Sequence, residues 1–294
     1  MSKQNANEMA IAFLGVGQMG TPMASRLISA AFSVRVWNRS KERVKELVQR
    51  GAIEASTPAE ATANADVVIT MLPDGPTIEA VFGGAEGAFA TLASGAVWLQ
   101  MGTIGIDWTE RLRKTATEAR ILFVDAPVSG SVSPASAGQL IILASGPDEA
   151  QSMAEPIFGV LGSHTFWLGA AGAGSRAKLV LNNWLVDLVE MVVETLTFSE
   201  ALGLDPRVIV EIIADAPIGS PYAVTKARGM LDGDYSPNFA LKLAVKDTLL
   251  ALEAARSVGE ELPITANLIA AWQRAVSDGA GDLDLSVVYR YARA

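Results

Sequence analysis

The sequence predicts an α/β protein: a mostly parallel, helix-covered sheet in the N-terminal part, an all-α C-terminal part, and one long helix joining them. Three observations carry this. A short apolar run at 9–14 ends in a glycine-rich turn and passes into a helical pattern at 21–30. Short β-like runs then alternate with helical stretches as far as 168. From 172 onward only the helical period remains, beginning with the long stretch GAGSRAKLVLNNWLVDLVEMVVETLTFSEALG at 172–203.

The glycine turn reads Gly15-Val16-Gly17-Gln18-Met19-Gly20, a GxGxxG between strand and helix. Its glycines permit a tight turn, the close approach of a pyrophosphate and close packing of helix on strand, while the helix N-terminus offers N–H donors and the positive end of its dipole. With a second strand at 33–37, this is the layout of a Rossmann-type dinucleotide-binding domain. An ordinary Gly-rich turn is the alternative. The end of the second strand distinguishes the cofactors: an Asp or Glu there suits the ribose 2′-OH of NAD, and a cation suits the 2′-phosphate of NADP. The residues are Asn38-Arg39-Ser40, with no carboxylate from Ser33 to Lys41. Arg39 offers a guanidinium to a phosphate, and Asn38 and Ser40 add hydrogen bonds. The reading is NADP(H). Alternatively, Arg39 and Lys41 only solvate the start of the next helix.

Further strands are predicted at 66–72, 96–101, 121–126, 140–145 and 165–168. Ligands collect at the carboxyl ends of such strands. The residues placed there are Met71-Leu72-Pro73, Gly102-Thr103-Ile104, and 125–131, DAPVSGS. In the last loop Pro127, Gly130 and the two serines cannot extend the strand, yet they can present N–H and hydroxyl donors to a carboxylate. Read in isolation the loop is equally a plain turn. His164 lies in the last of these runs, in a setting that suggests a strand residue rather than a catalytic one.

The 172–203 helix would be about 45 Å long. Asn183, Asp187, Glu190, Glu194 and Thr197 share one narrow stripe, and most of the rest is apolar, so a mostly buried helix is expected. The polar residues within it argue against a membrane span and for a soluble core or a subunit interface. Lys178 and Asn182 stand off the stripe, four apart on one face at the first turns. A lysine there either snorkels at a domain edge or does chemistry. Helices at 205–214, 220–231, 239–258, 263–278 and 286–293 complete an all-α domain over 171–294, after a nucleotide-binding domain over 1–170. Lys246-Asp247 in the third of these would ordinarily be a surface ion pair.

Composition narrows the function. The chain has no cysteine, which removes disulfides, thiolate catalysis and Cys-ligated metals and fits a cytoplasmic protein. With one histidine, neither a His-ligated metal centre nor a paired His relay is expected within one chain. Residues 1–8 are polar, without the apolar segment of a signal peptide, and no apolar run reaches membrane-spanning length. A net charge of −9 argues against a nucleic-acid partner. An anionic small molecule would need a local positive site.

Five stretches together resemble the β-hydroxyacid dehydrogenase family, which includes 3-hydroxyisobutyrate dehydrogenases and glyoxylate or succinic semialdehyde reductases. They are GVGQMG at 15–20, MGTI at 101–104, DAPVSGS at 125–131, GAGSRAKLVLNN at 172–183 and FALKLAVKD at 239–247, and they span nearly the whole chain. The resemblance implies an NADP-dependent enzyme interconverting a small β-hydroxyacid with its semialdehyde or keto acid, and an oligomer, most simply a homodimer. It implies that Ser129 and Gly130 hold the substrate carboxylate and that Thr103 lies near both ligands. Lys178 would be the general acid or base with Asn182 beside it, and Phe239, Lys246 and Asp247 would close over nicotinamide and substrate. Two departures bear on the substrate: Ser131 stands where relatives have a second glycine, and Met-Gly-Thr where further Ser or Thr is common. Imine reductases also resemble this family but typically replace the lysine. An imine reductase and a nucleotide-binding module without chemistry are therefore the alternatives, and Lys178 counts against both.

Overall fold

The computed structural model describes residues 9–292. Residues 1–8, where no signal peptide was expected, and residues 293–294, where the last helix was expected to end, lie outside the described residues. The chain divides into two compact units, the first running to Lys178 and the second starting at Leu179.

In the first unit a glycine turn follows β1 (Ala10–Leu14) and leads into α1 (Gly20–Ser29), then β2 (Ser33–Trp37) and α2 (Glu42–Gln49). There follow β3 (Ile53–Glu54), α3 (Pro58–Thr62), β4 (Val67–Thr70), α4 (Gly75–Phe82), β5 (Val97–Gln100), α5 (Ile106–Glu118) and β6 (Leu122–Asp125). These six strands form one parallel sheet in the order β3-β2-β1-β4-β5-β6, the doubly wound arrangement the turn and alternation predicted. β7 (Val128–Ser129), α6 (Val132–Ala137), β8 (Leu140–Ala144), α7 (Gln151–Leu161) and β9 (Gly162–Trp167) complete the unit.

Alternation along the strands explains how the large sheet is covered. Ile11, Phe13, Val67, Ile69, Val97 and Leu99 pack on one face with Met23 and Leu27 of α1. Their neighbours Ala12, Leu14, Val68 and Trp98 pack on the other with Ile78 and Phe82 of α4. Because successive side chains of a strand point to opposite faces, near-continuous apolar runs mean burial on both sides, as a parallel sheet requires. Trp98 anchors the second face, stacked on Phe82 at a centroid distance of 3.9 Å, with its indole N–H donating to Thr70 Oγ1 at 2.9 Å.

The strands expected at 140–145 and 165–168 form, but not in the main sheet. They join β7 in a separate three-stranded sheet, β7-β8-β9, with β7 antiparallel to β8. Pro127 has no N–H to give to a ladder, so the chain leaves β6 there and reverses. β3 was not foreseen: it is a two-residue edge strand whose side chains are both exposed, leaving no burial pattern to read. His164 is exposed on β9 beside Ser163.

The second unit consists of α8 (Ala173–Ala201) beyond its first turns, then α9 (Pro206–Asp215), α10 (Pro221–Asp232), α11 (Leu241–Ser257) and α12 (Pro263–Ala275), ending in a 3₁₀ turn at Leu285–Tyr291. Among the described residues no helix is long and apolar enough to cross a membrane. The first part of the polar stripe of α8, Asn183, Asp187 and Glu190, faces α12. Thr265 donates to Asn183 Oδ1 and Asp187 Oδ1 at 2.7 and 2.8 Å, and the Trp272 indole donates to Glu190 Oε2 at 2.8 Å. Burial pushes the Asp187 and Glu190 carboxyls up from their ordinary values, against the pull of those donors. The expectation of a mostly buried helix needs correction: Val180, Trp184, Met191 and Phe198 are 70, 65, 60 and 65 % exposed. Val186, Val189, Val193 and Leu196 join the core of this unit, Asn183, Asp187 and Glu190 find hydrogen-bonding partners on α12, and a row of large apolar residues faces out.

One buried ion pair pins the end of this unit. Lys226 of α10 reaches Asp284 at 2.6 Å, and Asp284 also accepts from the backbone N–H groups of Asn238 and Phe239 at 3.1 Å each. Burial alone would raise the Asp284 carboxyl, but the Lys226 ammonium together with the Ser286 donors outweighs it and holds the group below the ordinary value of 3.8. A carboxyl lowered on folding contributes stability above its unfolded pKa and loses it as pH falls through the folded one. Lys226→Met should therefore cost about 3–5 kcal/mol at neutral pH, read as a fall in denaturant midpoint, and the deficit should narrow as pH falls through the carboxylate range, Asp284 protonating first in the variant and then in the parent. A variant with parental stability at neutral pH would refute this role.

Candidate functional site

The glycine turn is built by close packing at two of its glycines. Gly15 has φ +101°, and a Cβ there would lie 2.5 Å from the carbonyl oxygen of Met71; one at Gly20 would lie 2.0 Å from that of Gly15. The fold itself thus demands the first and last glycine. Gly17 is different: a Cβ there would meet nothing within 4 Å. Its bareness fits the approach of a pyrophosphate rather than any packing need. No side chain caps the N-terminus of α1, and its first turn holds no acidic residue, so the N–H groups and dipole end suit an anion. Gln18 is exposed and Met19 half-buried on the same turn.

β1 and β2 run parallel in register, with Leu14 opposite Trp37, and the Gly15 N–H donates to the Trp37 carbonyl. This sets Asn38-Arg39-Ser40 beside the glycine turn. Asn38 Nδ2 donates to the Ser40 carbonyl at 2.8 Å, folding the turn locally, and Arg39 is exposed. No carboxylate stands from Ser33 to Lys41, so this strand end carries no acidic residue.

At the ends of β4 and β5 the loops of Met71-Leu72-Pro73 and Thr103 touch. A Cβ at Gly102 would lie 2.4 Å from the Leu72 carbonyl, and Gln100 holds Gly102 at both ends, accepting from its N–H at 3.0 Å and donating to its carbonyl at 2.8 Å. Gln100 thereby fixes the half-buried Thr103 that follows. Sequence reasoning passed over Gln100, although a polar residue inside an apolar strand is a readable signal.

The stretch 125–131 is built similarly. Asp125, the last residue of β6, is wholly buried. Val128–Ser129 pairs with β8, leaving Ser129 partly accessible beside exposed Gly130, whose φ of +131° a side chain would resist. The first turn of α8 docks on the same strand end. A Cβ at Gly174 would lie 2.2 Å from the Leu143 carbonyl; the Gly174 N–H donates to Ser145 Oγ at 2.9 Å and the Ser175 N–H to Asp125 Oδ2 at 2.7 Å. Ser175 Oγ donates to Asp125 Oδ1 at 2.7 Å and meets Thr109 Oγ1 at 2.9 Å. Burial pushes the Asp125 carboxyl up, opposed by these donors. Half-buried Lys178 follows one turn along, so the lysine and the DAPVSGS loop hang from one strand end within the first unit. Asp125, Ser145 and Ser175 went unassigned in the sequence because their pairing is tertiary.

In the second unit Asn182 is 1 % exposed, and its Nδ2 donates to Asp247 Oδ2 at 2.7 Å. Lys246 Nζ lies 2.9 Å from Asp247 Oδ1. The surface-pair alternative for Lys246-Asp247 therefore fails: the carboxylate is buried and joins α11 to α8. Phe239, half-buried before α11, packs against the core of this unit.

Comparison with known proteins agrees with this architecture. Residues 10–169 match the family model described as the NAD binding domain of 6-phosphogluconate dehydrogenase. Residues 172–292 match that described as the NAD-binding of NADP-dependent 3-hydroxyisobutyrate dehydrogenase. Glyoxylate/succinic semialdehyde reductase 2, chloroplastic, from Arabidopsis thaliana is 36% identical over 293 residues, covering 100% of this chain and 82% of its own. The 3-sulfolactaldehyde reductase of Escherichia coli (strain K12) is 34% identical, covering 97% of this chain and 96% of its own. Among solved structures, 3-hydroxyisobutyrate dehydrogenase from Mycobacterium tuberculosis with L-serine superposes with a TM-score of 0.88 at 28% identity, covering 97% of this chain and 100% of that one. Matched from end to end, with a parallel nucleotide-binding sheet followed by a helical unit, the chain belongs to the β-hydroxyacid dehydrogenase family of oxidoreductases that use a nicotinamide dinucleotide.

Proposed function

We propose that the chain is an NADP-dependent enzyme that interconverts a short aldehyde or keto acid with the corresponding β-hydroxyacid, Lys178 serving as general acid in reduction and general base in oxidation. The observation that supports the reading is the common origin of the half-buried lysine and the Ser129–Gly130 loop at the end of β6, so that the amine read as proton donor and the loop read as carboxylate cradle share one support. The names of relatives agree on the substrate class, a small carbonyl or hydroxyl compound bearing an anionic group.

The glycine turn would hold the pyrophosphate and Arg39, with Asn38 and Ser40, the 2′-phosphate; Met71, Leu72, Pro73 and Thr103 line the strand ends beyond them. When bound, the dinucleotide supplies or takes the hydride. The chain's own task is binding and proton transfer. In reduction the Lys178 ammonium gives a proton to the carbonyl oxygen as the new C–H bond forms, leaving the neutral amine; oxidation runs the same transfer backwards. Ser129 Oγ and the N–H of Gly130 would hold the carboxylate, and Asn182 would stand beside the amine on the same helix, itself oriented by Asp247. Lys246 is paired with that carboxylate at 2.9 Å, so the positive charge that would meet an anionic substrate in a chain of net charge −9 is chiefly the Lys178 ammonium. Phe239, Lys246 and Asp247 would cover nicotinamide and substrate. In this reading residues 1–170 bind the cofactor and residues 171–294 serve substrate and dimerisation. The lack of cysteine is the ground for a cytoplasmic assignment.

The test is NADPH oxidation against glyoxylate, succinic semialdehyde, methylmalonate semialdehyde and a cyclic imine. Turnover of an aldehyde acid with none of the imine supports the proposal; turnover of the imine alone overturns it. With the best acid, Ser129→Ala should lose on the order of 1.5–3 kcal/mol of transition-state binding with NADPH affinity intact, since it removes a charge-assisted donor. Unchanged kinetics would make the loop a turn only.

A homodimer is part of the same proposal. Val180, Trp184, Met191 and Phe198 recur on one side of α8, an exposed apolar face that a second copy would cover. Light scattering should report about twice the chain mass of 30.9 kDa; that mass itself across micromolar concentrations would refute the dimer.

A further inference from the structure

We infer that Asp125 is a positioning residue for Lys178, acting through the first turn of α8; the inference rests on the acid–base role proposed for that lysine. A helix N-terminus leaves its first N–H groups without intrahelical partners, and here they are met by groups remote in sequence. Asp125 Oδ2 accepts the Ser175 N–H at 2.7 Å, Oδ1 accepts the Ser175 hydroxyl at 2.7 Å, and Ser145 Oγ accepts the Gly174 N–H at 2.9 Å. Ser145 is itself bridged to Asp125, whose N–H and carbonyl exchange hydrogen bonds with the Ser145 backbone at 2.9 and 2.8 Å. The Ser175 hydroxyl lies 2.9 Å from Thr109 Oγ1, which in turn donates to the Gly105 carbonyl at 2.7 Å, so α5 is drawn into the same anchor.

The geometry does more than hold a helix. Asp125 is followed directly by the loop that carries Ser129, and Ser175 precedes Lys178 by three residues, one turn of the helix. One buried carboxylate therefore sets the amine relative to the substrate loop. Gly174 leaves no slack, since its Cα sits against the Leu143 and Asp125 carbonyls. A displaced turn would move Lys178 while leaving the glycine turn and Arg39 where they are. A misplacement of about 1 Å at a reacting group can cost about 100-fold in rate.

The experiment is a double-mutant cycle on single-turnover hydride transfer from NADPH to the best aldehyde acid, using Asp125→Ala, Lys178→Ala and the pair. Asp125→Ala should lower the rate about 10- to 100-fold with the NADPH Kd unchanged by fluorescence titration. In the Lys178→Ala background the same change should cost no more than about two-fold, because the group it positions is gone. Asp125→Asn should restore most of the loss: its carbonyl accepts the Ser175 N–H and its amide donates to the Ser175 hydroxyl, which turns to Thr109. An equal loss in both backgrounds, or a parental rate in Asp125→Ala while Lys178→Ala is inactive, overturns the inference and leaves the lysine mechanism standing. A parental rate in Lys178→Ala removes both. If Asp125→Ala does not fold, Ser175→Ala in the same cycle decides, with a loss confined to the Lys178 background expected.

Discussion

Lys178→Ala should abolish steady-state turnover while the protein folds and binds NADPH. The lysine sits in the first turns of α8, half-buried, on a helix end tied to the strand from which the Ser129–Gly130 loop leaves. His164, the one histidine of the chain, is exposed on β9 and hydrogen-bonds its neighbour Ser163, so it is a poor candidate for the proton transfer. General acid–base assistance contributes about 10²- to 10⁴-fold, and loss of the amine would also remove the group proposed to orient the substrate. In the proposed mechanism binding of the cofactor would draw on the glycine turn and Arg39 instead, so its affinity should survive. If Lys178 only snorkels, alanine would trim stability and leave kcat within a few-fold of the parent.

Arg39→Ala should raise the Michaelis constant for NADPH about 10- to 100-fold and leave that for NADH nearly unchanged. A guanidinium on a phosphate is a charge-assisted contact worth about 1.5–3 kcal/mol. NADH has no 2′-phosphate to lose it. Equal losses with the two cofactors, or none with either, would show that Arg39 serves only the start of α2. Steady-state kinetics with each cofactor at saturating acid substrate give the comparison.

What the sequence made legible follows the range of the interactions involved. The glycine turn, its strand and its helix are local in sequence, and the demand for Gly20 comes from Gly15 within the motif, whereas that for Gly15 comes from Met71 on a neighbouring strand end. Strand positions followed from apolar alternation, but sheet membership did not: whether 140–144 joins β6 or turns away depends on Pro127 and on pairing with Val128–Ser129. The site divides in the same way. Lys178 and Asn182 could be related through helical spacing, whereas Asp247 had to be brought to Asn182 across 65 residues and Asp125 to Ser175 across 50. For α8, the apolar circumference was legible and its covering was not. A periodic pattern shows which residues avoid water and is silent on whether a neighbouring helix or a second chain covers them.

The central claim is that Lys178 moves the proton that accompanies hydride transfer, and single-turnover transfer from bound NADPH to an aldehyde acid tests it without interference from product release. The account predicts that Lys178→Ala binds NADPH with parental affinity and transfers hydride at least about 100-fold more slowly. Near-parental transfer in that variant would contradict it.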